Sequence, residues 1–195
     1  MAHIDTITAV RFTSLALSQT AIPTTAARAA ALNANAEAAL FRTSFAVPAN
    51  VTEVGQVREF PNLGTPANIV NVPNYGASIS SQVGGQADAP DLTFTLNYIP
   101  NEAGHRMLNT IRQDATPVAF RARLTDAVIA PADLTKGVPD SDVRFDDLYW
   151  TGRIVSFEIV PALNDSMQAN VAVTIEGDFV GPVSQVAAAY TTGAS

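Results

Sequence analysis

The strongest constraint on the fold of this chain is a period of two in the hydrophobicity of four segments in its second half. The apolar positions of these segments are Leu92, Phe94, Leu96 and Tyr98, then Val118, Phe120, Ala122 and Leu124, then Val155, Phe157 and Ile159, and finally Val171, Val173, Ile175 and Phe179. Polar or small residues separate them, including Glu158 in the third segment and Glu176 and Asp178 in the fourth. Successive side chains of a strand point to opposite faces, so the pattern predicts four half-buried β-strands.

Two further segments predict helices. Asn101 can cap a helix that runs to about Arg112 and places Ala103, Met107, Leu108 and Ile111 on one face. Residues 24–41 are dominated by alanine, the strongest helix former, and Thr24 or Thr25 can cap their start. The alternative for this Ala-rich segment is a low-complexity connector.

Together these elements predict a single α+β domain over residues 1–195, mainly β, with an antiparallel β-sandwich or barrel-like sheet. One short helix packs on the sheet, and the Ala-rich helix is an addition near the N-terminus. Residues 1–23 and 183–195 are predicted to be terminal arms. Residues 76–90 are polar and contain glycine, which indicates a long loop or a hairpin with a mobile tip.

Composition argues against several functions. The formal net charge is −7, Lys136 is the only lysine, and no basic cluster is present, so the chain does not suit a protein that grips nucleic acid. The absence of cysteine excludes disulfides and thiolate chemistry. We find no secretory signal and no run of about 18 apolar residues, which predicts a protein without membrane contact that is intracellular or part of a particle assembled inside a cell.

The chain offers few residues for catalysis or metal binding. His105 falls on the polar side of its helix, where a surface histidine is the expected interpretation. The aspartates at 140, 142, 146 and 147 lack the Gly and Glu positions of an EF-hand and predict a solvated loop. We therefore predict no catalytic, cofactor-binding or metal-binding residues and no enzymatic activity.

Strands with one apolar and one polar face build a sheet with a core on one side and water on the other. The exposed edges of such a sheet invite pairing with another chain, and closure of these edges between copies would give a ring lined by the polar face. A monomeric β-sandwich that binds a ligand would show the same alternation, so this alternative stays open.

Three stretches carry a family resemblance: GQADAPDLTFTLNYIPNEAGHRMLNTI from Gly85, VAFRARL from Val118, and YWTGRIVSFEIVPALNDSMQANVAVTIEGDF from Tyr149. In order and spacing they resemble the tail tube proteins of lambda-like siphophages over about half of the chain. The resemblance implies a structural subunit of six-membered rings that stack into a tube for double-stranded DNA. It also implies an acidic lumen, for which Glu158, Glu176 and Asp178 are the candidates.

Further expectations follow from this resemblance. Arg121 and Arg123 would line the lumen or contact a neighbouring subunit. A stacking loop would dock on the adjacent ring, with the candidate residues Ser80, Gln82, Gly84, Gly85, Gln86 and Asp88. Partners would be copies of the chain itself, the tape-measure protein, and tail terminator and tail tip proteins, in a virion tail assembled in the host cytoplasm. The alternative is the tube of a contractile tail or of a type VI secretion-like machine.

Overall fold

A computed structural model describes residues 12–64, 69–72, 81–84, 91–125, 144–161 and 166–186. The strands are β1 (Phe12–Ser18), β2 (Val51–Val54), β3 (Val57–Glu59), β4 (Ile69–Val72), β5 (Ser81–Gly84), β6 (Asp91–Asn97), β7 (Val118–Thr125), β8 (Arg144–Val160), β9 (Gln168–Ile175) and β10 (Val180–Val186). The helices are α1 (Thr25–Ala29), α2 (Ala34–Ser44) and α3 (Ala103–Asp114), with a short 3₁₀ turn at Pro48–Asn50. The mainly β, antiparallel α+β class predicted from the sequence is confirmed.

Eight strands form one open antiparallel sheet. Seven of them follow the order β2-β1-β7-β8-β9-β6-β3. The eighth, β10, pairs with the first part of β8, on the same side of β8 as β9. The long strand β8 organises this sheet. Its first part pairs with β7 and β10, whereas residues 152–160 pair with β9. The sheet therefore has two halves. The first half-sheet contains β2, β1, β7, the start of β8 and β10, and the second half-sheet contains the end of β8 together with β9, β6 and β3.

The two half-sheets meet at Gly152, which pairs with Val118 on β7 and with Ile175 on β9. A Cβ atom at this position would lie 2.7 Å from Val173 Cγ1 and 2.9 Å from the Thr174 carbonyl oxygen. The strand thus passes from one half-sheet to the other where only glycine leaves enough room for the neighbouring backbone.

The main core joins the apolar faces of both half-sheets. Phe120 stacks on Trp150 with ring centroids 5.4 Å apart. Leu108 and Ile111 of α3 are completely buried in the same cluster, so the predicted face of this helix is the one that packs. The other fully buried members include Leu17, Leu96, Val118, Ala169, Val171 and Val173. The apolar positions of β6, β7 and β9 are accordingly those that alternation predicted.

A second, smaller core lies on the opposite face of the first half-sheet. Phe41 and Phe45 at the end of α2 are completely buried and pack against Tyr149 of β8, with ring centroids 5.6 and 5.9 Å away. Helix α2 also packs against β10. The first half-sheet is therefore covered on both faces, in contrast to the single covered face that we expected.

The Ala-rich segment forms two helices where the sequence predicted one over residues 24–41. Thr24 caps α1 by accepting a hydrogen bond from Ala27 N at 3.2 Å. Asn33 begins a new helix by accepting from Ala36 N at 2.9 Å. Its extended backbone, with φ −163° and ψ 169°, cannot belong to a continuous helix, so the strong cap at Asn33 overrides the helix propensity of the alanines.

Parts of both predicted arms belong to the sheet. Residues 12–18 form β1, in which Leu15, Ala16 and Leu17 are buried between two other strands. Residues 183–186 lie in β10, and Val183 is buried. Pairing with neighbouring strands and burial of apolar side chains order these residues. Residues 19–23 connect β1 to α1, and residues 1–11 and 187–195 lie outside the described residues.

The apolar face predicted for β8 is wrong at Val155. The register between β8 and β9 shifts between Ile154 and Ser156, which makes Val155 the extra residue of a β-bulge. Val155 is consequently 58% exposed, and Ile154 occupies the core position opposite Val173. Phe157 returns to the core face after the bulge, as the alternation predicted.

Candidate functional site

The second half-sheet has one face built mainly of polar residues. We call it the polar face. Its members alternate with core residues along each strand and are half-buried or exposed. They are Glu59 on β3, Asp91, Thr93, Thr95 and Asn97 on β6, Gln168, Asn170, Ala172 and Thr174 on β9, and Arg153, Ser156, Glu158 and Val160 on β8. The helices pack elsewhere, with α3 against β2 and β8 on the core side and α2 against β10.

Side chains of the polar face bond to each other across the strands. Thr174 Oγ1 donates to Asp91 Oδ1 at 2.8 Å, and Thr95 Oγ1 donates to Asn170 Oδ1 at 3.1 Å. Cross-strand pairs of this kind stabilise a sheet, and their hydrogen bonds keep the paired side chains close to its surface. The result is a level, hydrogen-bonded surface without large apolar groups in its centre.

The charge of the polar face is acidic. Glu59, Asp91 and Glu158 are exposed on it, and Arg153 is its one cation. Glu176 directly follows β9, and its Oε1 forms an ion pair with Arg153 Nε at the end of the face. With four carboxylates and one guanidinium, this surface carries a formal charge of −3.

The three predicted lumen residues therefore lie in different places. Glu158 projects from the polar face, because it pairs with Asn170. Glu176 was expected to continue the last strand, but that strand ends at Ile175 and the carboxylate reaches the face through Arg153. Asp178 lies in the β9–β10 turn beyond Gly177, whose φ of +93° ends the alternation, and its Oδ1 accepts from Phe179 N at 2.7 Å.

Arg28 of α1 holds this turn in place. Its Nη1 donates to the Glu176 carbonyl oxygen at 3.0 Å and its Nη2 to the Asp178 carbonyl oxygen at 2.5 Å. Its Nε donates to Glu37 Oε1 at 2.6 Å, and its guanidinium lies 5.2 Å from the centroid of the Phe41 ring. No sequence pattern points to this residue, because the two carbonyl oxygens that it binds lie 148 and 150 positions away.

The second half-sheet ends in two unpaired edges. Residues 153–160 of β8 pair with β9 on one side, and no described strand pairs with them on the other. At the opposite edge, β3 pairs only with β6 among the described strands. Such edges present free N–H and C=O groups, and the β8 edge is rich in β-branched residues that favour strand pairing.

The predicted stacking segment, residues 76–90, contains one strand of a hairpin, β5, while the other strand, β4, precedes the segment. Strands β4 and β5 pair with each other in a two-stranded antiparallel sheet, with Ile69 opposite Gly84 and Val72 opposite Ser81. The candidates Gln82 and Gly84 thus lie in β5. The candidates Ser80, Gly85, Gln86 and Asp88 lie outside the described residues, so a stacking role for the segment stays a prediction.

Arg121 and Arg123 neither line a lumen nor face a neighbour, because both are completely buried beneath α2. Arg123 forms a salt bridge with Asp147, and the guanidinium of Arg121 lies 4.8 Å from the centroid of the Phe45 ring. Burial, together with the charge of Arg123, lowers the pKa of Arg121 to about 10. Burial also raises the pKa of Tyr149, and the adjacent Asp147 carboxylate adds to the effect.

Two sequence interpretations of single residues are wrong for related reasons. Asp147 was assigned to a solvated loop, yet it lies in β8 and is completely buried. His105 was expected at the surface, but its Nδ1 accepts from Ile99 N at 3.1 Å and its Nε2 lies 3.1 Å from the Gly55 carbonyl oxygen and 2.7 Å from Glu102 Oε2. In both cases polar partners from distant parts of the chain replace water.

Comparison with known proteins identifies the class. A family model described as "Phage tail tube, TTP, lambda-like" matches residues 33–182, and the chain belongs to this family. The match includes α2 and all strands from β2 to the start of β10, so it contains the whole second half-sheet. It leaves out α1, which carries Arg28.

Two solved structures show the same fold at low sequence identity. The sheath/tube terminator of PVC, an extracellular contractile injection system, aligns with a TM-score of 0.55, 8% identity, and coverage of 94% of this chain and 100% of the terminator. A chain of the anti-feeding prophage baseplate aligns with a TM-score of 0.54, 7% identity, and coverage of 92% and 99%. The SPP1 tail tube aligns over 70% of this chain and 73% of its own, with 13% identity and a TM-score of 0.47.

A search of curated proteins gives no match. Among the described residues, no helix is both long and apolar enough to cross a membrane.

Proposed function

We propose that this tail tube subunit assembles into hexameric rings that stack into a tube, with the polar face of the second half-sheet turned towards the channel. The observation that carries this proposal is the position of the polar face between two unpaired edges. A surface that is flat, polar and acidic is bordered on each side by a strand with free hydrogen-bonding groups. Pairing of the β8 edge of one copy with the β3 edge of the next would join these surfaces into one wall.

The dimensions of such a wall suit a DNA channel. Four strands from each of six copies, spaced by about 4.8 Å and tilted by about 40°, give a barrel roughly 45–50 Å across between backbones. Side chains occupy part of that width, and the polar face carries few large ones. Enough space remains for a DNA duplex.

The charge of the polar face fits passage without adhesion. Phosphates are repelled by the exposed Glu59, Asp91 and Glu158, and the one cation of the face, Arg153, is already paired with Glu176. Tight binding to DNA requires cations that release counterions from phosphate, and this surface offers none that is unpaired. The tube would therefore guide double-stranded DNA during ejection and would not bind it specifically.

The remaining expectations belong to the same proposal. The subunit acts as a structural component of a virion tail assembled in the host cytoplasm, with no catalytic step. Its partners are its own copies, a tape-measure protein inside the tube before DNA, and terminator and tip proteins at the ends. The family membership supports these roles, and the predicted stacking segment, residues 76–90, would join successive rings.

Negative-stain electron microscopy of the purified protein over a concentration series, combined with light scattering, tests the proposal. We expect rings or tubes with an open channel for the wild type. Val155→Lys places a charge on the free β8 edge, where the side chain is 58% exposed, and should keep the protein monomeric. Leu32→Lys, at a side chain 95% exposed between α1 and α2, is the matched control and should assemble normally.

Two results would contradict the proposal. One is a wild-type protein that stays monomeric at every concentration, even after chemical cross-linking. The other is Val155→Lys protein that assembles as readily as Leu32→Lys protein.

A further inference from the structure

A cavity of about 300 Å³ lies between α1 and the sheet, close to the junction of the two half-sheets. Small-molecule sites in proteins begin at about this volume. No residue of α1 is buried, so the helix spans the cavity without filling it. The walls come from four parts of the chain: Ile22, Pro23, Thr24, Thr25 and Arg28 in and before α1, Pro117 before β7, Thr151 of β8, and Glu176 after β9.

Thr151 forms the part of the cavity wall that belongs to the sheet. Its side chain is 4% exposed, and its Oγ1 forms no hydrogen bond with any described residue. A buried hydroxyl without a partner destabilises a protein, whereas a valine has the same shape and no polar group to satisfy. A threonine at this position therefore indicates that the cavity receives a group that bonds to the hydroxyl.

Arg28 and Glu176 place opposite charges on the wall of the same cavity. Arg28 Nε donates to Glu37, and Nη1 and Nη2 each donate once to a carbonyl oxygen of the β9–β10 turn. A guanidinium has five N–H groups, so one on Nη1 and one on Nη2 have no described partner. Glu176 uses Oε1 for Arg153, which leaves Oε2 as an acceptor.

The charges around the cavity cancel, because Arg28 pairs with Glu37 and Arg153 pairs with Glu176. An anionic ligand would meet the Glu176 carboxylate and a cationic ligand would meet the Arg28 guanidinium, so the site favours a neutral molecule. A hydroxyl group accepts a hydrogen bond from a guanidinium and donates one to a carboxylate. The ligand that suits this pair of charges is therefore rich in hydroxyl groups.

Apolar walls restrict the ligand further. Ile22, Pro23 and Pro117 offer C–H surfaces, and Thr24 and Thr25 add two hydroxyls at exposed positions. A pyranose ring combines hydroxyl groups around its edge with C–H groups on its faces, which matches this lining. A cavity of this size accommodates one such ring.

We infer that this cavity binds one neutral monosaccharide unit, either free or at the end of a glycan, through Arg28, Thr151 and Glu176. This binding activity is independent of the proposed tube, because no residue of the cavity wall belongs to the β8 edge or to β3.

Saturation-transfer difference NMR of the purified protein tests the inference, because this method detects weak ligands of large proteins. The probes are glucose, galactose and mannose, each compared with its uronate and its 2-amino sugar. We expect signal from at least one neutral sugar and a weaker signal from both of its charged counterparts. The methyl glycoside of that sugar distinguishes the two sources: equal binding assigns the terminal unit of a glycan, and loss of binding assigns the free sugar.

Thr151→Val removes the hydroxyl and keeps the shape of the side chain. We expect it to lower the signal at least about fivefold, as the loss of one hydrogen bond to a ligand does, and to melt at or above the wild-type temperature without sugar. Glu176→Gln should lower the signal as well. Thr110→Val, at an exposed threonine of α3, is the matched control and should bind as the wild type does.

Four results would overturn the inference. They are no signal from any neutral sugar, equal signals from Thr151→Val and wild type, stronger signals from the charged counterparts, and a Thr151→Val protein that melts below the Thr110→Val protein. The last result would mean that the hydroxyl has a structural partner. Val155→Lys protein, which should not assemble, should still bind the sugar, so failure of the tube and failure of the site are distinguishable.

Discussion

Arg123 and Asp147 form a bidentate ion pair with both side chains completely buried. Arg123 Nε donates to Asp147 Oδ1 and Nη2 donates to Oδ2, each at 2.8 Å. Tyr149 adds a third hydrogen bond, from its hydroxyl to Oδ2 at 2.9 Å. The pair lies between β7 and β8, on the side of the first half-sheet that α2 covers, and its carboxylate holds two strands and an aromatic side chain together.

We expect Asp147→Asn to destabilise the protein by about 3–5 kcal/mol, because it leaves buried guanidinium charge without compensation. Urea denaturation followed by circular dichroism measures this difference. Glu176→Gln is the control, since it breaks an ion pair whose side chains are 49% and 40% exposed and should cost at most about 1 kcal/mol. Equal losses for the two variants would contradict the role assigned to the buried pair.

Gly104→Ala should destabilise the protein although alanine favours helices. A Cβ atom on Gly104 would lie 2.4 Å from the Glu53 carbonyl oxygen and 3.2 Å from Val54 Cα. The first turn of α3 would have to move away from β2, at a cost of about 1–3 kcal/mol that exceeds the gain in helix propensity. Thr110→Ala, on the exposed side of α3, is the control and should leave the stability unchanged. Thermal denaturation of both variants measures the difference, and equal melting temperatures would contradict the prediction.

Arg28→Gln should release α1 and α2 from the β9–β10 turn. The substitution removes the donors to the carbonyl oxygens of Glu176 and Asp178 and the ion pair with Glu37. We expect faster hydrogen exchange in α1 and α2 with little change in β6 and β9. Arg28→Lys keeps the charge but cannot bond to three partners in one plane, so it should restore little protection.

Arg112→Gln is the control for that experiment, because Arg112 bonds only to Asn109 of its own helix among its described contacts. Hydrogen exchange of α1 and α2 should be unchanged in this variant. Unchanged exchange in Arg28→Gln as well would show that Arg28 does not fasten the helices.

Glu53→Gln should change how stability depends on pH. Burial raises the pKa of Glu53, Arg121 opposes this shift, and Glu102 adds to it. A raised pKa in the folded state means that the stabilising contribution is present below the unfolded value and is lost as pH rises through the folded value. Relative to the wild type, Glu53→Gln should thus gain stability as pH rises through the range above the usual pKa of a glutamate, about 4.3. Urea midpoints measured across this range test it, and a difference that stays constant with pH would contradict it.

Alternation within strands identified most of the second half-sheet. The core faces of β6 and β9 follow from the sequence because these two strands contain no bulge and pair with each other in one register from end to end. Val155 was misplaced because a bulge shifts the register by one residue, and no residue type marks that bulge. The predicted β9 was too long, because alternation continues through Glu176 and Asp178 in the sequence. The positive φ of Gly177, which turns the chain there, leaves no mark in the hydrophobic pattern.

The polar side chains were harder to place than the apolar ones. Arg121 and Arg123 are two positions apart and therefore lie on the same face of β7, and Asp147 and Tyr149 do the same on β8. This spacing was the only indication in the sequence that the four residues could form a buried cluster. The position of α2, which covers that face and buries the cluster, could not be predicted from the sequence. His105 was misplaced for a similar reason, since Gly55 and Ile99 take the place of water only once the chain has folded.

Strand β8 has 17 residues and spans about 55 Å, and it belongs to both half-sheets. A force applied to the helix-covered half is therefore transmitted to the polar half along one covalent backbone. Two sheets joined only by side-chain packing could slide past each other under the same load. The subunit should respond to bending and shear as one elastic body, with its stiffness set by the hydrogen-bonded ladders on either side of Gly152.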